Sequence, residues 1–392
     1  MSRSACPACG NRNLRIFHEQ QGVPTHSVLM LPTREKAVGF PRGTLRLGFC
    51  PACGFITNTA YDPAFSAYSS NYEESQEFSP RFRRFATALA ERWIETYDIH
   101  NRTVLEIGCG KASFLQLMCG LGENRGIGID PSVRADRLDD PEGRITLIAD
   151  LYSEKYAHLE ADVVLCRHTL EHISPVADFM RMVRTAIGDR HETVVLFELP
   201  DVQRVLDEIA FWDVYYEHCS YFSAGSLGRL FRSCGFEVLD VRREYDDQYL
   251  TIDARPSTTP APGAPLPIED DLETLRAGVE RFGTELPRQL EAWREKLREV
   301  SARGGRSVIW GGGSKGVTYV NTLEARDEVT CLVDINPFMH GRFIAGSGHE
   351  IVPPDALRRI EPQLVLLMNE IYQDEVQQDL DRLQVEAELV PV

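Results

Sequence analysis

The sequence predicts an α/β protein: a small cysteine-bearing N-terminal domain, then a doubly wound parallel sheet, then a second α/β unit. Three observations lead there. Two identical Cys-Pro-Ala-Cys-Gly turns stand near the N-terminus, strand-like apolar runs alternate with helical ones from residue 103 onward, and a Pro-rich stretch divides that alternation in two. The length of 392 residues agrees, because roughly 150 residues per domain gives two to three domains.

Charge narrows the partners. The net charge of −17 disfavours a broad nucleic-acid footprint, which needs Lys and Arg to neutralise phosphates, and equally an anionic membrane surface. No apolar run reaches the length of a spanning helix, and Met1 to Cys6 lacks the apolar stretch of a signal peptide. Ten cysteines in 392 residues are too dilute for a disulfide scaffold. The expectation is a cytoplasmic, monomeric protein acting on a small molecule, without nucleic-acid or membrane partners.

The first element is the cysteine domain, residues 1–60. Cys6, Cys9, Cys50 and Cys53 form two knuckles, each with a Gly that lets the chain turn so that amides face the thiolates. Four soft ligands suit a closed tetrahedral Zn²⁺ site, structural rather than catalytic, and residues 10–49 should form a small sheet or loop layer. An aromatic stretch follows, holding Tyr61, Tyr68 and Tyr72. From Pro80 to Tyr97, Phe82, Phe85, Leu89 and Trp93 recur at helical steps. Strands are expected at Thr103–Ile107, Gly126–Asp130, Ile145–Ala149, Asp162–Cys166, Thr193–Glu198 and Phe236–Arg242, giving a second domain at 61–255. A Pro-rich linker spans 256–268. The third domain, 269–392, opens with a long amphipathic helix over Leu272–Val300, or two joined near Pro287. Its strands are Ser307–Trp310, Thr330–Asp334 and Gln363–Met368, the first running into the glycine turn Gly311–Gly316.

The turn Glu106-Ile107-Gly108-Cys109-Gly110 places backbone at the carboxyl edge of a parallel sheet, where open α/β folds bind cofactors. Asp130 ends the next strand, placed to accept both ribose hydroxyls. Asp150 and Leu151 end the third, where an adenine would sit. Glu106 suits a cationic amino-acid moiety better than a pyrophosphate, which favours S-adenosylmethionine (SAM) over NAD. This series resembles the class I SAM-dependent methyltransferases, with Ala112 where many members carry a third Gly.

The chemistry is expected on the next loops. His168-Thr-Leu-Glu171-His172 faces cofactor and substrate, with His168 on the cofactor side. Tyr215-Tyr216-Glu217-His218 lies in an aromatic strip that can exclude water. Here the whole chain resembles the zinc-containing sugar C-methyltransferases of deoxysugar and natural-product biosynthesis. Further matches are Ser220, Tyr221, Ser223, Gly313-Ser-Lys315-Gly316, Val333-Asp334-Ile-Asn336-Pro337, Gly341-Arg342 and Met368-Asn369-Glu370. The resemblance implies a class I methyltransferase fold with an N-terminal zinc-knuckle domain and a Rossmann-like C-terminal domain. It implies that His218 removes a proton α to the ketone of a nucleotide-linked 4-keto sugar, oriented by Glu217, with Tyr215, His172 and Tyr72 around the carbonyl or the sugar. Two departures, Tyr216 for the family's His and Asp246-Asp247-Gln248 for its His-Gly-Gly, are expected to reshape the sugar pocket. The alternatives are an O- or N-methyltransferase on another small acceptor, an oxidoreductase using Gly311–Gly316, and a non-catalytic module. The last is disfavoured by the intact Glu106, Gly108, Gly110 and Asp130.

Overall fold

The computed structural model describes residues 5–65, 72–73, 76–259 and 263–392. Tyr68 of the aromatic stretch, residues 1–4 and residues 260–262 of the linker lie outside the described residues. No helix among the described residues is long and apolar enough to cross a membrane.

The middle sheet has seven strands in the spatial order Phe236–Glu244, Tyr249–Pro256, Val194–Pro200, Val163–Arg167, Thr103–Ile107, Arg125–Ile129 and Ile145–Ile148. All run parallel except Tyr249–Pro256, which is antiparallel to both neighbours. This is the class I methyltransferase architecture. Its central strands are apolar on both faces because helices cover both; Val104, Leu105, Val163, Val164 and Leu165 are all buried. The helix Pro80–Tyr97 forms where expected: Ser79 caps the Phe82 N–H at 3.2 Å, Pro80 occupies the first turn, and Leu89, Trp93 and Ile94 face the core. Strand Tyr249–Pro256 was not anticipated. Its Asp253 reads as a strand breaker, yet that carboxylate is buried and accepts from Trp93 Nε1 at 2.9 Å and the Tyr97 hydroxyl at 2.8 Å.

Residues 10–49 do form a sheet layer. Arg15–Pro24, Arg42–Phe49 and Ile56–Asn58 pair antiparallel, and a fourth strand, Ser220–Tyr221, arrives from just beyond His218. Leu272–Ala302 is one continuous helix despite Pro287. Leu275, Val279, Phe282 and Leu286 bury its apolar stripe in a core shared with the N-terminal sheet and Val202–Glu208. That packing outweighs the hydrogen bond Pro287 removes.

The C-terminal sheet has six strands, in the order Arg342–Phe343, Glu350–Val352, Val329–Val333, Ser307–Trp310, Leu364–Leu367 and Glu388–Pro391, parallel except Arg342–Phe343. In both parallel sheets the first strand lies between its second and a later one, so each has a switch point where the connections diverge.

Candidate active site

Both switch points open onto one cavity of about 1140 Å³, walled also by Val28 and Tyr72 from the N-terminal segment. On the middle-sheet side, Gly108 turns with φ +72°, and a Cβ there would sit 2.0 Å from Thr169 Oγ1. Only glycine lets this turn approach the loop after Val163–Arg167 so closely. Asp130 accepts from the Gly110 N–H at 3.1 Å through one oxygen and from the Ser132 N–H at 2.6 Å through the other, which fixes the carboxylate at the strand end. Asp150 accepts from the Leu151 N–H at 2.8 Å and the Tyr156 hydroxyl at 2.6 Å. Leu151 itself is 64 % exposed on the cavity wall.

Glu106 is fully buried and its Oε2 has no hydrogen-bond partner. Burial pushes its carboxyl up to about 8, while nearby Arg167 pulls it down. An orphaned buried acid beside the turn is what a bound ammonium group would satisfy, so the residues present fit SAM. Burial works against an ionised Glu198, yet Arg167 and His168 bring it down to about 2. His168 Nε2 lies 3.2 Å from Glu198 Oε1, with the His168 backbone left-handed at φ 46°.

Across the cavity, His218 is enclosed by rings: His172 at 4.7 Å and Tyr215 at 4.6 Å between centroids, both edge-on. Burial and the neighbouring His172 hold His218 well below the ordinary imidazole range, so it is neutral. His172 is pushed down to about 3, chiefly by burial. Its Nδ1 lies 3.2 Å from the Glu217 carbonyl, a contact that only a protonated Nδ1 satisfies.

Three expectations are corrected. The Glu217 carboxylate does not orient His218: it turns away to accept from the Ser27 N–H at 2.8 Å and from the Ser27 hydroxyl, clamping the N-terminal segment. Tyr216 also points away from the pocket. Its ring fills the space over Gly43, where a Cβ would lie 2.3 Å away, and its hydroxyl accepts from the Asp62 N–H at 3.0 Å. The Tyr215 hydroxyl donates to Asp213 Oδ1 at 2.6 Å and so is committed away from a substrate carbonyl.

The other departure does reach the pocket. Tyr245, Asp246 and Asp247 are all left-handed (φ 56°, 53° and 57°), a turn that non-glycine residues seldom make, and it delivers Gln248 and Tyr249 to the cavity wall. Gln248 and Asn369 exchange amide hydrogen bonds at 3.0 and 2.9 Å, and Lys315 Nζ donates to Gln248 Oε1 at 3.1 Å. Lys315 also lies 3.1 Å from Asp213, which pairs with Arg204 as well. Burial opposes ionisation of Asp213, but Lys315 and Arg204 bring it down to about 2. The sequence pointed to neither Asp213 nor Arg204 as a site residue, whereas Lys315 lies in the Gly313-Ser-Lys315-Gly316 match.

At the N-terminus the knuckles superpose in detail. Gly10 and Gly54 share φ +78°, and each donates to the carbonyl of the first cysteine of its pair, at 2.8 and 2.9 Å. Cys6 and Cys53 Sγ are 3.8 Å apart and Cys9 and Cys50 Sγ 3.6 Å, close to the spacing of about 3.8 Å that tetrahedral Zn–S bonds impose. The residues present fit such an ion.

Residues 74–241 match the methyltransferase domain family, and residues 268–390 match the C-methyltransferase C-terminal domain family. C-methyltransferase NovU of Streptomyces niveus is 25 % identical over 286 residues, which is 70 % of this chain and 67 % of that one. Ribosomal protein L11 methyltransferase of Yersinia pestis is 27 % identical over 107 residues, 26 % of this chain and 36 % of its own length. Among solved structures, a Burkholderia thailandensis 1,6-didemethyltoxoflavin-N1-methyltransferase with bound S-adenosylhomocysteine is 16 % identical with a TM-score of 0.34, covering 44 % of this chain and 78 % of that one.

Proposed function

We propose that this SAM-dependent methyltransferase, whose C-terminal domain is that of C-methyltransferases, methylates a carbon next to the ketone of a nucleotide-linked 4-keto sugar. The observation that carries the reading is His218: a neutral imidazole on the cavity wall, walled by aromatic rings, between the SAM turn and the C-terminal sheet. Its role is to accept the proton α to the ketone. When bound, SAM supplies an electrophilic methyl group on its sulfonium. Glu106 would hold its ammonium end and Asp130 its ribose, with Asp150 and Leu151 at the adenine and His168 beside the turn. His172 and Tyr72 line the sugar, and Tyr215, fixed by Asp213, holds the His218 ring edge-on. Lys315 and Arg204 both pair with Asp213, and Arg204 pairs with Glu208 as well; the two cations would serve an acceptor phosphate as hydrogen-bond donors. Cys6, Cys9, Cys50 and Cys53 hold one structural zinc, which elemental analysis of the purified chain should find.

The test offers a panel of nucleotide 4-keto sugars with SAM and reads the mass gain of one methyl for one hydrogen. Enolate formation before transfer should exchange the α-hydrogen with D₂O, which an O- or N-methyltransferase has no reason to do. His218→Ala should slow turnover roughly 100-fold or more at unchanged SAM affinity. A variant that only loses stability, with activity per folded molecule intact, would take the base away from His218.

A further inference from the structure

Besides the four cysteines, one other group of described residues brings three metal-capable side chains together: Glu171, His172 and His218, whose ligand atoms all lie within 4.8 Å of one another. The group is built rather than incidental. Glu171 is 2 % exposed, and its Oε2 has no hydrogen-bond partner. His172 Nδ1 lies 3.2 Å from the Glu217 carbonyl, the kind of outer partner that metal-binding histidines characteristically have. All three residues wall the cavity, so an ion can enter from solvent. Burial holds both imidazoles below the ordinary range, so binding a cation need not first displace a proton from imidazolium.

We propose that Glu171, His172 and His218 form a second metal-ion site, for Zn²⁺ or a similar borderline ion, and that its occupation inhibits methyl transfer by taking the lone pair of His218. Two imidazoles and one carboxylate are the donor set of open zinc sites, and they disfavour Mg²⁺ and Ca²⁺, which prefer all-oxygen surroundings. Ligand atoms on a tetrahedral ion stand about 3.4 Å apart, so small side-chain rotations close the site. The inhibitory half rests on His218 being the base; the binding half does not.

The test titrates the full chain, its knuckle metal in place, with Co²⁺. A further equivalent should bind with weak visible bands and without the sulfur-to-metal charge-transfer absorption that exchange into the cysteine site would give. Methyl transfer should fall in step and recover on adding a chelator. Glu171→Gln should weaken uptake by at least the roughly 10–100-fold that even an outer partner is worth, with SAM affinity retained. Should that variant fail to fold, His172→Gln serves the same arm. No uptake beyond the knuckle, or equal uptake by the folded variants, overturns the site. Uptake that leaves methyl transfer untouched overturns the inhibition and counts against His218 as the base, while the metal site stands.

Discussion

The turn after Thr103–Ile107 and the turn after Ser307–Trp310 are closed by the same device. Asp130 accepts from the Gly110 N–H and from the N–H two residues beyond itself; Asp334 accepts from the Gly312 N–H at 2.7 Å and from the Asn336 N–H at 2.8 Å. What differs is the residue two places before the first turn glycine: Glu106 in the middle sheet, Ile309 in the C-terminal sheet. The middle unit therefore carries a buried acid beside its turn, and the C-terminal unit an apolar strand end with Lys315 just beyond the turn. One backbone plan thus carries side chains of opposite charge.

That comparison can be broken at its glycines first. Gly108→Ala should destabilise the chain by about 3 kcal/mol or more, because the new Cβ meets Thr169 at a left-handed φ. Gly313→Ala, with φ −81° and open space around it, should be nearly silent in thermal melts. Next come the carboxylates. Asp130→Ala should weaken SAM by about 2 kcal/mol in calorimetry, since a charged acceptor is lost, whereas Asp334→Ala should leave SAM affinity unchanged. Equal losses would mean that both turns touch the cofactor.

The pH response should sharpen the contrast, because His172 and His218 belong to the middle unit's side of the cavity. His172 titrates at about 3 when folded against an ordinary 6.5, so below 6.5 the unfolded chain binds more protons. Stability should therefore hold above pH 6.5 and decline toward pH 3, by at most about 1.4 kcal/mol per unit for this histidine, and His172→Gln should flatten the decline in urea titrations. The smallest effect belongs to the bridge between the units. Gln248→Ala loses its exchange with Asn369 and its bond to Lys315, and should raise the acceptor KM by about fivefold, or about 1 kcal/mol, at unchanged SAM affinity.

What the sequence revealed follows from the range of the interactions. The parallel strands are runs of Val, Leu and Ile bounded by turns, and the cofactor turn is a local pattern, so both were legible. The cysteine pairs were legible because the same Cys-Pro-Ala-Cys-Gly run occurs twice. Tyr249–Pro256 was hidden by Asp253, whose partners Trp93 and Tyr97 lie on a distant helix. Glu217 is adjacent to His218 in sequence, and adjacency suggested a dyad; its partner Ser27 is 190 residues away. The pairing of Asp213 with Lys315, and the approach of Glu171 to His218, are products of folding separate loops onto one cavity, and no local period announces them.

The strand Ser220–Tyr221 has a practical consequence. It begins two residues after His218 and completes a sheet whose other strands are hung on the cysteine knuckles, while Phe222 packs edge-on against Phe55 at 5.1 Å. The fragment 61–392 would thus strip the partner strands from the segment that carries His218 and leave the buried Glu217 without its Ser27 hydrogen bonds. Chelating the knuckle metal should act on the same lever, loosening the His218 loop before the SAM turn feels anything. With the proposed zinc bound, mild metal removal should then appear as lost turnover at preserved cofactor affinity, and the ion would act as a tensioner for a histidine that it does not touch.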